Sequence, residues 1–138
     1  MPMRTFAAAL LLALAACATT RSAGEDDSPS IVGSYVLTRI DNRALPTYSP
    51  TEPNVRVERG LLTLGREGAF VLTLVARNSP QFPPAEQSMR GSYTESNGTL
   101  TVTPSDAPET PVVYQVARAG IQLTLRDAQG HRYEFTVR

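Results

Sequence analysis

The sequence predicts an all-β protein whose residues 31–138 form an eight-stranded antiparallel up-and-down barrel. Apolar and polar residues alternate with period two from Ile31 onward, in segments rich in Val, Leu, Ile, Thr and Tyr. Turn residues punctuate these runs at short intervals, and the apolar spacing of a helix is absent.

The chain opens on a different signal. Met1-Pro2-Met3-Arg4 is followed by an apolar run, Phe6 to Ala16, that ends in Leu14-Ala15-Ala16-Cys17. The run is short of the roughly 20 apolar residues needed to cross a bilayer, so it reads as a signal peptide rather than an anchor. Small residues leading into one cysteine have the layout of a bacterial lipoprotein signal: a peptidase needs small side chains before the cut, and a transferase needs a thiol to acylate. Residues 1–16 are therefore expected to be removed and Cys17 to carry lipid. Ala18 rather than aspartate follows the cysteine, which favours the outer membrane over the inner one. Ala16-Cys17-Ala18 also matches a small-x-small cleavage site, and cutting there would release a soluble periplasmic protein beginning at Thr19.

Residues 17–30 are polar, small and acidic beyond the cysteine, and read as a flexible tether. A dozen such residues reach roughly 20 Å. Cys17 is the only cysteine, so no internal disulfide braces the fold. All 13 basic residues are arginines, set against 13 carboxylates, and the balance points to neither nucleic acid nor an anionic surface as a partner. The absence of lysine is accounted for by a GC-rich genome.

Eight strands are expected near 31–40, 54–64, 68–77, 88–96, 99–104, 111–118, 121–127 and 131–137. Ile121, Leu123 and Leu125 share one face of their strand; so do Tyr133, Phe135 and Val137 of theirs. Each strand thus has one greasy and one mixed face, as a sheet with one buried side requires. Asn97-Gly98 is the strongest hairpin signal, because a two-residue turn needs positive φ at both positions. Gly60, inside a long second strand, suggests a bulge or bend. The connections 41–53, 78–87 and 105–110, with Pro104 and Pro111, hold nine of the 11 prolines. In a meander, successive connections alternate ends, so these loops and the hairpin at 127–130 fall on one rim and the tight turns at 65–68, 97–98 and 118–120 on the other. The tether enters at the tight-turn rim, which aims the long loops away from the membrane.

Gly33-Ser34-Tyr35-Val36-Leu37 followed by Asp41-Asn42-Arg43-Ala44-Leu45-Pro46 resembles the opening of small bacterial lipocalin-like lipoproteins. Gly60-Leu61-Leu62-Thr63-Leu64, Gly68-Ala69-Phe70 and Gly91-Ser92-Tyr93 with Asn97-Gly98-Thr99-Leu100 are similar to that family's later cadence. Arg43 departs from the pattern by replacing a turn glycine, and the first-strand tryptophan is missing. The resemblance implies the barrel and no single activity. Gly-Ser-Tyr, at 33–35 and again at 91–93, opens a strand each time on this reading.

Chemistry has little to build on. His131 is the only histidine, expected to be exposed after the Asp127–Gly130 turn, and no nucleophile elbow or metal-ligand spacing accompanies it. The expectation is a non-enzymatic monomer without metal or cofactor. Tyr35, Phe70, Tyr93, Tyr114, Tyr133 and Phe135 are expected to face inward, filling most of the barrel above which a shallow apolar cup can remain. A drug-sized ligand needs a cavity of roughly 300 Å³ or more. Tyr48, Phe82 and Met89 are the candidate contacts near the long-loop mouth, for a small apolar ligand or an envelope protein. The other readings are an inhibitor of an envelope hydrolase such as a lysozyme or protease, inserting loop 78–87, and a structural or envelope-stress lipoprotein.

Overall fold

A computed structural model describes residues 30–138, so the expected signal 1–16, the candidate lipidation site Cys17 and the expected tether through residue 29 lie outside the described residues. Ten strands form, and no helix is present among the described residues. They are β1 Gly33–Ile40, β2 Arg43–Ala44, β3 Thr47–Tyr48, β4 Arg56–Leu64, β5 Ala69–Arg77, β6 Ala85–Ser96, β7 Thr99–Pro104, β8 Val112–Ala119, β9 Gln122–Arg126 and β10 Arg132–Val137. From β4 to β10 each strand pairs antiparallel with the next, and β1 pairs with both β10 and β4, closing an eight-stranded barrel. Tyr35 marks the seam, opposite Val137 on one side and Leu62 on the other. Closure covers most of the edge row that would otherwise invite aggregation, the first residues of β6 excepted.

The seam is only partly zipped. β1 meets β4 through Gly33–Val36 and Leu61–Leu64, and then the two diverge. β2 takes over the freed edge of β1, and β3 that of β4. The 41–53 connection therefore contains two short strands rather than plain loop. Asp41 and Asn42 adopt φ of 49° and 67°, the paired positive values of a type I′ turn. The β1–β2 hairpin thus closes on Asx residues, and arginine at 43 is no obstacle.

Gly60 is not the bulge. The register of β4 against β5 slips between Val57 and Arg59, while Gly60 pairs regularly with Leu74. The glycine is required by packing: a Cβ there would stand 2.8 Å from Leu37 Cβ. The two Gly-Ser-Tyr triplets also differ. Gly33 opens β1, but Gly91 lies inside β6, which begins at Ala85, three residues earlier than expected. A Cβ on Gly91 would fall 2.1 Å from the Thr103 carbonyl oxygen. The tyrosines of both triplets do the same work, because Tyr35 Oη donates to Ile31 O at 2.6 Å and Tyr93 Oη to Gly65 O at 2.7 Å. Together they plug the tight-turn rim. Arg118 lies over the Tyr35 ring and donates to the Ser30 carbonyl, tying the entering chain to that rim.

All six inward aromatics expected from the sequence belong to the core or pack against it. Tyr35, Leu62, Leu64, Phe70, Leu100, Val102 and Leu123 are each under 2 % exposed and fill the half nearest the tight turns. The connections after β1, β5, β7 and β9 all lie at the opposite rim, as antiparallel order dictates. The proline-bearing loops share that rim.

Candidate functional site

At the long-loop rim the interior is not filled. A cup of about 220 Å³ opens between the barrel walls and the segment Ser49–Val55. Phe70 and Phe135 form part of its lining, with Leu37, Ile40, Leu74 and Leu125 among the apolar wall residues. The loop above the cup is held by a short local network. Ser49 N donates to Val55 O at 2.8 Å, and Val55 N to Glu52 O at 2.9 Å. The Ser49 hydroxyl also accepts from the backbone N–H groups of Thr51 and Glu52, each at 3.3 Å.

Polar groups also line the cup. Tyr114 on β8 and Tyr133 on β10 line it, together with Gln87 and Glu52. Tyr133 Oη donates to Asp127 Oδ2 at 3.2 Å. The other Asp127 oxygen accepts the backbone N–H groups of Gln129 at 3.0 Å and His131 at 2.9 Å. Burial, and then the Asp127 carboxylate, raise the pKa of both Tyr114 and Tyr133 above the ordinary phenol value. Both hydroxyls therefore stay protonated at neutral pH.

A second cluster latches the rim. His131 is half-buried rather than exposed, because its ring Nδ1 lies 3.0 Å from Asp41 Oδ2 across the β1–β10 seam. Asp41 Oδ1 accepts the Arg132 N–H at 2.8 Å, and that bond is the main cause holding the carboxyl below its usual pKa, followed after a desolvation cost by His131. No serine hydroxyl bonds to His131 among the described residues, and no group of three His, Cys, Asp or Glu side chains gathers there.

The three contacts expected near the mouth do not converge. Tyr48 is 57 % exposed on β3 and lines an outer polar cleft with Arg56, Glu58 and Arg77. Phe82 stands 62 % exposed in the loop between β5 and β6. Met89 packs against the core and borders a lateral cleft with Pro104 and Val112. That cleft exists because β7 engages β6 only from Gly91 onward, leaving Ala85–Met89 paired with β5 alone. Of the cup residues, Phe70, Tyr114, Leu125, Tyr133 and Phe135 are legible in the sequence as inward-facing positions, whereas Ser49–Glu52 and Gln87 are not. Nothing local distinguished those lining space from those filling it.

No family model matches the chain, and no curated protein does. Among solved structures, the crystal structure of an uncharacterized protein from Bacteroides eggerthii DSM 20697 at 2.60 Å resolution superposes with a TM-score of 0.52 and 11 % identity. The match covers 79 % of this chain and 100 % of that one. At such identity the likeness carries the fold alone: this chain shares a β-barrel architecture with a protein that is itself uncharacterized.

Proposed function

We propose that the chain is a lipocalin-like, lipid-anchored envelope protein whose barrel holds a small apolar ligand without chemically altering it. The cup of about 220 Å³ beneath the proline-bearing rim is the observation that carries this reading. It falls short of the roughly 300 Å³ of a drug-sized site, so the ligand must be compact. An apolar cavity of about 150 Å³ accepts benzene; by simple scaling this one takes a molecule of roughly nine non-hydrogen atoms. The lipoprotein-like Leu14-Ala15-Ala16-Cys17 supports an acylated Cys17 and an outer-membrane location. Entry of the chain at the tight-turn rim supports a cup facing away from the lipid.

Native mass spectrometry of the protein extracted from its own envelope tests both parts. The expected species begins at an acylated Cys17 and carries a small molecule. A mature N-terminus at Thr19 would refute the anchor; an unmodified mass with no small molecule, together with no binding of small aromatics in solution, would refute the cup.

One observation favours a second reading. Phe82 is exposed within a connection bearing Pro80, Pro83 and Pro84, a stiff apolar tip suited to another protein's cleft. Inhibition of an envelope hydrolase, lost on shortening residues 79–84, would support it.

A further inference from the structure

We infer that the cup selects a compact organic cation of the arylalkyl ammonium type, its ring held within the cup and its charge at the mouth beside the Glu52 carboxylate. The inference rests on the ligand reading above and goes further by fixing the sign of the ligand's charge.

The charge around the cup is of one sign. No arginine or histidine lines it, and its only charged lining residue is Glu52. Glu52 belongs to the Ser49–Val55 segment above the opening, and its carboxylate enters no ion pair among the described residues. A second carboxylate, Asp127, lies 3.2 Å from the hydroxyl of the lining residue Tyr133 and likewise has no ion-pair partner among the described residues. Its field reaches Tyr114 as well, where burial first and Asp127 second raise the phenol pKa. Cations near this rim are engaged elsewhere. His131 Nδ1 is 3.0 Å from Asp41 and Arg132 is 3.1 Å from Glu134, while Arg56 and Arg77 line the outer polar cleft. An anion entering the cup would meet carboxylates and no counter-charge; a cation meets two carboxylates without a cation of their own.

The wall suits the rest of such a ligand. Phe70, Tyr114, Tyr133 and Phe135 all line the cup. Aromatic walls pack an apolar ring and also attract a cation through the negative face of the π system, which aliphatic walls do not. Ser49, Thr51 and Gln87 carry both donors and acceptors, so they discriminate nothing by themselves. Glu52 is exposed, so an ammonium beside it keeps part of its water and avoids the desolvation cost of a fully buried charge.

Calorimetric titration of the whole protein with three probes of similar size tests this: phenethylamine, which is protonated at neutral pH, phenethyl alcohol and phenylacetate. The amine is expected to bind about fivefold tighter than the alcohol, the upper worth of an exposed ion pair, and phenylacetate about fivefold more weakly than the alcohol. Glu52 holds its loop through backbone groups, its N–H donating to Ser49 Oγ and its carbonyl accepting from Val55 N. Glu52→Gln therefore keeps the loop in place, leaves the alcohol's affinity as it was, and should reduce the amine's advantage to about twofold or less. Phenylacetate or the alcohol binding as tightly as the amine would overturn the inference while leaving the cup intact, and so would an unchanged amine-to-alcohol ratio in Glu52→Gln. Failure of all three probes would remove the cup reading and this inference with it.

Discussion

Replacing Ala76 by leucine asks whether the space at the long-loop rim is real. Ala76 sits on β5, is 6 % exposed and lines the cup. Leucine adds three carbon atoms to that wall. At about 0.8 kcal/mol per buried methylene, filling the cup gains about 2 kcal/mol. For a domain of this size, each kcal/mol moves the unfolding midpoint by about 3–6 °C, so Ala76→Leu should melt about 6–12 °C higher. Were the interior already packed, the same side chain would overfill it and cost about 1–3 kcal/mol. The sign of the shift therefore decides, and its size is secondary. Thermal unfolding followed by circular dichroism reads the shift, and titration of the same variant with a small aromatic should show at least a tenfold loss of affinity. A lower melting point, or a higher one with binding untouched, would refute the assignment of the cup.

Other perturbations test the frame around it. Gly91→Ala drives a Cβ into the Thr103 carbonyl, a backbone atom 2.1 Å away that cannot turn aside. It should cost about 3 kcal/mol or more, whereas Gly120→Ala, with open space but φ of +60°, should cost about 1–2 kcal/mol; denaturant titration giving the reverse order would contradict the β6–β7 contact. Tyr35, Tyr93, Tyr114 and Tyr133 all have raised pKa values, burial being the leading cause in each. The folded state thus holds these protons more tightly than the unfolded one. Stability should be level below pH 10.0, the ordinary tyrosine value, and fall above it by up to about 1.4 kcal/mol per pH unit for each such tyrosine. A flat denaturant midpoint between about pH 9 and pH 11 would show that these rings are not buried in the native state. Asp41 shifts the other way: its pKa is lowered, chiefly by the Arg132 N–H. Its contribution is present above the ordinary value of 3.8 and lost as pH falls through the lower folded value. Asp41→Asn should flatten the acid limb of stability, and an unchanged limb would dismiss the latch.

Strand order and rim assignment were legible because they follow from properties local in the chain. Period-two alternation marks a strand wherever it lies, and Asn97-Gly98 announces its hairpin from two residues. Once the strands are antiparallel, the alternation of ends places the proline loops, with the Asp127–Gly130 hairpin, on one rim and the other tight turns on the opposite one. The same locality explains the shortfalls. The sequence around Gly60 looked like a bulge because glycine has two uses in a strand, and only Leu37, arriving from another strand, shows that close packing is the one in force. Gly91 looked like a strand opening, yet its neighbour is the Thr103 carbonyl. His131 finds Asp41 ninety residues away in the chain. Glu134, on the outward face of β10, is only 6 % exposed because Arg132 at 3.1 Å and Gln122 at 3.2 Å close over it.

By itself the sequence determined an all-β chain of inward-facing apolar residues, with loops sorted to one rim and a lipoprotein-like start. Only the tertiary structure decided where β1 meets β4, how far they stay together, and that one half of the interior is filled while the other keeps a cup. The reason is that interior volume belongs to no strand. It is what remains when side chains from eight strands have been brought to one axis at a particular register, and the register slips between Leu37 and Arg39 in β1 and between Val57 and Arg59 in β4 change it without altering the alternation that announced the barrel.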